Sequence, residues 1–508
     1  MHPRIRPLAV SSSPSSTTDS PWFEPRRALT LLALWLLATL GLRPLLLPDE
    51  GRYANVARDM LQGDGLTPLL NGLPFFHKPP LIYWLDMAAM SVLGVNQFTA
   101  RFGPFVGAWV MGAAVFLAVR RWHGARAAAM TLVVLATTPF FYVGGQYANL
   151  DMLVGGTLTA TVLAFVRAAE DERPTLQWIV IAWAFAALSV LAKGLIGIVL
   201  PALVVGPWLL AQGRWRTMLR LLNPVGIVAF ALIALPWFAL MQQRYPDFFD
   251  YFIVEQHFRR FAQTNFNNAH PGWFYVVLLP ALTLPWSLWL PLALRDAWRE
   301  RAGTQRWQFA LYAWWIVSIV GFFSLPSSKL VGYVYPALAP WCVLLSLAAA
   351  RLDRWWRLTI AVGVAACLVP VSYLAIKPPH SAKPGAAYLV EHIAPGDDIV
   401  FVDEVFYDLS FYLNLHRPPI VVADWANPDI PKRDNWRKEL YDAARFDPRM
   451  AQKVLWPIGR IGELTCQGHA VWFVLHPANE AHLAGIAGIE TMYVDKELKL
   501  IRAPARRC

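Results

Sequence analysis

Long apolar runs separated by short, mostly basic loops occupy the first three quarters of the chain. They lie near residues 29–47, 102–119, 127–145, 152–168, 178–192, 195–211, 224–241, 273–294, 307–325, 331–349 and 357–376. Each approaches the ~20 residues that an α-helix needs to cross a bilayer. The pattern therefore predicts about 11–13 transmembrane helices, the uncertain stretches being the pair around Lys193–Gly194 and the segment 80–94. The latter reads as lying along the membrane surface or dipping into it. The first run is longer than a signal-peptide core and lacks a small-residue cleavage site, so it reads as an uncleaved helix.

From about Lys383 the pattern changes. DDIVFVD (397–403), PPIVVAD (418–424) and AVWFVLH (470–476) are short runs rich in β-branched residues. Segments of helical character such as NWRKELYDAARF (435–446) separate them, which predicts a small α/β domain. It contains no phosphate-binding glycine loop. Residues 1–24 are rich in Ser, Thr and Pro and read as a disordered cytoplasmic tail. The chain is thus expected to be a polytopic α-helical membrane protein. Its parts are the tail, a transmembrane domain over 25–376 and a periplasmic α/β domain over 377–508.

Composition agrees with lipid as the main solvent. Hydrophobic residues make up 56% and charged residues 16%, and the 24 Trp suit long interfacial belts. A net charge of +11 invites a nucleic-acid reading, but its distribution excludes one. Arg26 and Arg27, then Arg120, Arg121 and Arg126, then Arg214, Arg216 and Arg220, then Arg295, Arg299 and Arg301, then Arg351, Arg354 and Arg357 recur at every second loop. That alternation is the positive-inside signature. It turns loops 48–100, 145–151, 242–272 and 325–330, and everything after residue 377, outward. A Cys466–Cys508 disulfide is compatible with an outward C-terminal part, although spacing alone does not establish it.

The candidate chemistry gathers in the first outward loop, LLLPDEGRYANVARDM followed by NGLPFFHKPPLIYWL. Within it lie Asp49, Glu50, Arg52, Tyr53, His77, Lys78 and Tyr83. A helix starting after Pro48 would gather Asp49, Arg52 and Tyr53 at one end. It would also form an apolar stripe of Tyr53, Val56, Ala57 and Met60 suited to the membrane surface. Two prolines after His77 and Lys78 stiffen the backbone and fix these side chains near the lipid boundary. A fixed Lys with nearby Arg suits a lipid-linked phosphate, whose negative charge grows as its bond to a sugar breaks. Each residue has a plainer alternative: helix capping for Asp49 and Asp151, headgroup contact for the arginines, snorkelling for Lys329.

At these positions the sequence resembles the membrane glycosyltransferases of the lipid A aminoarabinose-transferase type and the related protein O-mannosyltransferases. The matching elements are Asp49–Glu50, Arg52–Tyr53, the segment from Asn71 to Trp84 with its K-P-P, and Asp151 in YANLDML. EQHFRRF (255–261) and SSKLVGYVYP (327–336) follow. The resemblance covers roughly residues 29–350. It implies catalytic roles for Asp49 and Asp151, and substrate contacts for Glu50, Arg52, Tyr53, Lys78, Tyr83, Arg259, Arg260, Lys329 and Tyr333. It also implies an undecaprenyl-phosphate sugar donor and no nucleotide cofactor. One departure is His77, where aminoarabinose transferases usually carry Glu before K-P-P. In those enzymes that Glu and a loop His, here His257, can hold a metal ion. A His77–His257 pair could still bind zinc, although two ligands fall short of a full set.

The expected activity is transfer of a sugar, aminoarabinose being one candidate, to an envelope acceptor at the periplasmic face of a bacterial inner membrane. Lipid A phosphate is the first acceptor to consider and protein Ser/Thr the second. A lipid or sugar transporter is the alternative from another class. It fits less well, because transporters tend to place ionisable residues at mid-membrane in paired halves, whereas here they crowd one face.

Overall fold

A computed structural model of the chain describes residues 24–171, 174–259, 269–349 and 353–506, without the side chains of 257–259 and 353–354. The expected tail over 1–24 thus lies outside the described residues except for Glu24. The helices that carry the site are α1 (Pro25–Leu37), α2 (Asp49–Gln62), α3 (Leu81–Leu93) and α4 (Phe102–His123). They continue as α5 (Ala125–Ala136), α6 (Pro139–Gly144), α7 (Asp151–Ala168), α8 (Leu176–Lys193), α9 (Ile196–Ala211), α10 (Trp215–Leu221) and α11 (Pro224–Arg244). Helices Phe274–Leu282, Leu290–Glu300, Arg306–Ser324, Tyr335–Ala349 and Asp353–Ile376 complete the apolar part.

All eleven expected spans are helical, but not all are single long helices. Among the described residues seven helices are long and apolar enough to cross a membrane, or eight if one bent pair is counted as a span. The exceptions have local causes. The run 29–47 contains Arg43, and α1 ends at Leu37 before it. The run 127–145 divides because the hydroxyls of Thr137 and Thr138 bond back to Val133 O and Val134 O, 2.7 Å each, and Pro139 then starts a new helix without a donor. The run 273–294 breaks between Leu282 and Trp286 and bends by 109°. α9 is shorter, with Pro201 and Pro207 inside it.

α7 is the central pillar. All of its residues except Phe165 and Arg167 are buried, and α4, α8 and Tyr335–Ala349 surround it. Lipid offers no hydrophobic drive between helices, so close backbone approach must supply the attraction. A Cβ on Gly156 would overlap the carbonyl oxygen of Gly107 in α4. Only a pair of glycines lets these two helices touch. On the other flank, Ser189 of α8 donates to Thr157 Oγ1 at 2.8 Å.

The C-terminal region folds around a six-stranded sheet of order β5-β4-β3-β6-β8-β7. Its strands are β3 (Asp398–Val402), β4 (Ile420–Ala423), β5 (Leu455–Pro457), β6 (Val471–Leu475), β7 (Glu490–Val494) and β8 (Lys499–Ala503). The hairpin β1 (Leu69–Leu70) and β2 (Leu73–Pro74) lies between α2 and α3. β3, β4, β5 and β6 run parallel, with Val400 opposite both Ile420 and Phe473, whereas β8 is antiparallel to β6 and β7. Val471–Leu475 is buried at every position, as a central strand covered on both faces requires. On one face Val400, Val402, Val422 and Phe473 form a small separate core. On the other, Phe401, Val421, Trp472 and Leu500 join the main core.

That second face brings the sheet's helices onto α2. A Cβ on Gly51 would lie 2.7 Å from Asp408 N, so the helix Tyr407–Tyr412 rests directly on the first turn of α2. Tyr412 OH accepts from Leu45 N at 2.7 Å, Asn71 Nδ2 donates to Pro419 O at 3.0 Å, and Arg58 donates to Ser410 O. Cys466 is disulfide-bonded; Cys508 lies outside the described residues. Gly156→Ala is expected to force α4 and α7 apart at a cost of ~3 kcal/mol or more. Thermal unfolding of the purified variant in detergent measures this, and a wild-type melting temperature would contradict the contact.

Candidate active site

The site begins with a buried ion cluster rather than with a surface residue. Glu50 is fully enclosed. Its Oε1 accepts from Arg101 Nε at 2.9 Å, Arg43 Nη2 at 3.0 Å and Ala148 N at 2.9 Å. Its Oε2 accepts from Arg101 Nη2 and Leu46 N, both at 3.1 Å, and from Arg43 Nη1. The remaining guanidinium donors reach Leu40 O, Arg43 O, Pro44 O and Gln146 O. Burial alone would raise the Glu50 pKa, but Arg101 and Arg43 outweigh it and hold the carboxyl at about 2. Glu50 was expected to contact substrate. Its enclosure corrects that: every donor around it is protein, and it fixes the start of α2 against α4 and the loop before α7.

With Glu50 turned inward, its neighbour Asp49 faces the other way and stays 44% exposed. Asp49 Oδ1 accepts from Arg52 Nη2 at 2.8 Å, one helical turn on, while Arg52 Nη1 donates to Glu439 of the C-terminal region. Burial works against the charge on Arg52, and Glu439 and Asp49 more than restore it. Tyr53 stacks on Tyr83 at 6.0 Å between ring centres, with Arg52 5.5 Å above its ring. Its phenol is held well above the usual range by burial first, then by Tyr83, with Asp151 and Asp49 adding to the shift against Arg52. The link from α2 to the segment before α7 is the bond that Ala148 N donates to Glu50.

Asp151 is buried and pairs with Lys193 at the end of α8. Asn149 Oδ1 accepts from its backbone N–H at 3.0 Å. Lys193 Nζ lies 4.3 Å above the ring of Tyr333, and a Cβ on Gly332 would overlap Asp151 Oδ2. Asp151, Lys193 and Tyr333 thus form one compact group from three separate segments. Lys193 was not singled out from sequence; its signal was a Lys-Gly pair between two apolar runs, where two helices must end.

Other expected residues are placed differently. Lys329 is buried and its Nζ donates to the carbonyls of His270 at 2.8 Å, Pro326 and Ser327. It staples its own loop rather than pointing at a ligand. Lys78 is half-buried beside Pro79 and Pro80, just before α3. His77 is buried, its ring stacked on Phe75 at 4.5 Å and 5.8 Å from Tyr251. Tyr251 belongs to Asp250–Arg259, a wide helical segment with i→i+5 geometry. The side chains of His257 and Arg259, and all of Arg260, lie outside the described residues. Among the described residues no three His, Cys, Asp or Glu side chains converge as a metal would need.

Comparison with known proteins follows the same lines. The family model described as dolichyl-phosphate-mannose-protein mannosyltransferase matches residues 77–240. An undecaprenyl phosphate-α-4-amino-4-deoxy-L-arabinose arabinosyl transferase from Erwinia tasmaniensis is 33% identical over 356 residues, covering 68% of this chain and 64% of the relative. The chain thus spans less than two thirds of that relative's length. A second transferase of that name, from Pseudomonas fluorescens, is 32% identical over 420 residues, covering 79% of this chain and 73% of the relative. The crystal structure of ArnT from Cupriavidus metallidurans bound to undecaprenyl phosphate has a TM-score of 0.82 at 23% identity, covering 94% of this chain and 97% of that one. The likeness to that structure establishes the shared fold.

The ion cluster yields a stability prediction. The Glu50 pKa is depressed from 4.5 to about 2 in the folded chain, so its contribution is complete above 4.5 and is lost as pH falls through that window. Glu50→Gln leaves two buried guanidiniums against no carboxylate and is expected to cost ~3–5 kcal/mol. Thermal unfolding in detergent at neutral and acid pH checks both points. The variant should be less stable near neutrality and lack this part of the acid dependence; equal melting at pH 7 would refute the assignment.

Proposed function

The chain belongs to the family of undecaprenyl phosphate-α-4-amino-4-deoxy-L-arabinose arabinosyl transferases, and from this membership and the site we propose that it moves a sugar from a polyprenyl-phosphate carrier to an envelope acceptor. We take the sugar to be aminoarabinose, the carrier undecaprenyl phosphate and the acceptor a lipid A phosphate. The membrane is then the bacterial inner membrane, with Asp49 and the C-terminal region on its periplasmic side. The observation that carries this reading is two acid–base pairs at helix starts, tied together through the Glu50 cluster: exposed Asp49 with Arg52 on α2, and buried Asp151 with Lys193 at α7.

In this reading the bond between the sugar's anomeric carbon and a carrier phosphate oxygen breaks while an oxygen of the acceptor phosphate forms the new one. The carrier leaves as undecaprenyl phosphate. Charge grows on the leaving phosphate, and we assign half-buried Lys78, just before α3, as the cation that meets it. The sugar carbon becomes electron-poor, which an exposed carboxylate at Asp49 stabilises. A phosphate acceptor is already an anion, so no general base is required. The stacked Tyr53 and Tyr83 were expected to contact substrate, but both are buried, so they form the base on which Asp49 and Arg52 stand rather than a surface the sugar meets. Asp151 and Lys193 hold Tyr333 against the start of α7.

A second reading, transfer to protein Ser/Thr, is favoured by the mannosyltransferase match over residues 77–240. Here Asp49 would act as general base on the hydroxyl. Purified protein incubated with carrier-linked aminoarabinose and lipid A is expected to release undecaprenyl phosphate and increase the lipid A mass. Asp49→Asn should slow this by on the order of 10²–10³-fold, as expected when a group stabilising transition-state charge is removed. Unchanged turnover in the variant would remove Asp49 from the reaction. An unmodified lipid A beside a glycosylated protein would establish the second reading.

A further inference from the structure

No motif in the C-terminal region pointed to the site, yet that region reaches the residue beside Asp49. The helix Trp436–Ala444 is capped by Asn435, whose Oδ1 accepts from Arg437 N at 3.0 Å and Lys438 N at 3.2 Å. This fixes the first turn, where Glu439 lies almost fully buried. Glu439 Oε1 accepts from Arg52 Nη1, and Arg52 Nη2 gives its bond to Asp49 Oδ1. The two arms of one guanidinium are therefore divided between carboxylates from opposite ends of the chain. Close by, the hydroxyl of Tyr407 is buried without a hydrogen-bond partner among the described residues and lies within the field of both Glu439 and Arg52.

We propose that Glu439 is a positioning residue for the transfer, holding one arm of Arg52 so that Asp49 is bound by the other arm alone. The assignment rests on the transferase reading above. A guanidinium fork favours two parallel bonds to a single carboxylate. Without Glu439, Arg52 would close on Asp49 with both arms, saturating both oxygens and cancelling the charge. With Glu439 in place, two carboxylates face one guanidinium, one negative charge is in excess, and Asp49 keeps 44% of its side chain open. The C-terminal region then does more than cover α2: it sets how much of the Asp49 carboxylate a substrate meets.

The test uses the full-length purified protein with carrier-linked aminoarabinose and lipid A. Glu439→Gln should lower kcat by on the order of 10–100-fold, with KM for the carrier changed far less. Glu439→Asp should recover part of the loss. In an Arg52→Lys background, where no fork exists, adding Glu439→Gln should cost nothing further, because both changes act through one bond. Losses that multiply in the double variant, or wild-type kcat in Glu439→Gln, would overturn the proposal. If Glu439→Gln does not fold, Arg52→Lys with and without Glu439→Asp decides by the same rule. A wild-type protein that releases no carrier phosphate overturns the transferase reading and takes this inference with it.

Discussion

One buried carboxylate, Glu50, holds the site in place. It joins the turn after α1 through Arg43, the start of α4 through Arg101, and the loop before α7 through the Ala148 amide. Two guanidiniums around one carboxylate are costly in an apolar interior unless their donors are met. Here the Nη donors left over from Glu50 find the carbonyls of Leu40, Arg43, Pro44 and Gln146. Because breaking one partner strands the others, the cluster behaves as an all-or-none clamp. Its geometric consequence is that Asp49, next in the chain, must point away from it. The exposure of Asp49 follows from the burial of Glu50.

The clamp works only because backbones approach closely on either side. Gly107 and Gly156 let α4 and α7 touch, which sets where Asp151 emerges from the apolar part. Gly51 lets the helix Tyr407–Tyr412 sit on the first turn of α2. A larger residue at either place would move one acidic group relative to the other. Small-residue packing is usual between helices in lipid. At Gly51 the same device joins α2 to the sheet region, and the stripe Tyr53, Val56, Ala57 and Met60, expected on the membrane surface, is instead buried in the main core that runs across the junction.

Much of this was legible in the sequence. The strands expected over 397–403, 418–424 and 470–476 appear as Asp398–Val402, Ile420–Ala423 and Val471–Leu475, because fully buried parallel strands read as plain apolar runs. β5, β7 and β8 were not foreseen: Leu455–Pro457 is too short to show a period, and the burial pattern of Glu490–Val494 never becomes apolar. Span lengths failed where a Thr hydroxyl or a Pro broke a helix inside an apolar run, since hydropathy does not register hydrogen bonding. Asp49, Arg52 and Tyr53 were legible as a helical cluster. Glu50 was misread because adjacent helical residues point about 100° apart, so an acidic pair cannot share one role. Lys193 and Arg101 were missed because each is a single charge at the edge of an apolar run, where lipid-surface anchoring explains it as well, and Arg43 because it was absorbed into the run 29–47. Glu439 was beyond reach: its partner lies 387 positions away, and only the fold brings them together.

The two acidic residues of the site differ in a way that their types do not explain. Asp151 is buried and paired with Lys193, whose other side rests on Tyr333, so the three are locked together. Asp49 is almost half exposed and shares its arginine with Glu439. Burial makes the first pair rigid, since parting two charges away from water is costly. Exposure makes the second adjustable, since water screens it and the guanidinium has another partner. A group that must meet a passing ligand belongs in the second arrangement, and a group that must hold a wall in place belongs in the first. Under the transfer proposed above, these environments suit Asp49 to the reacting face and Asp151 to its frame.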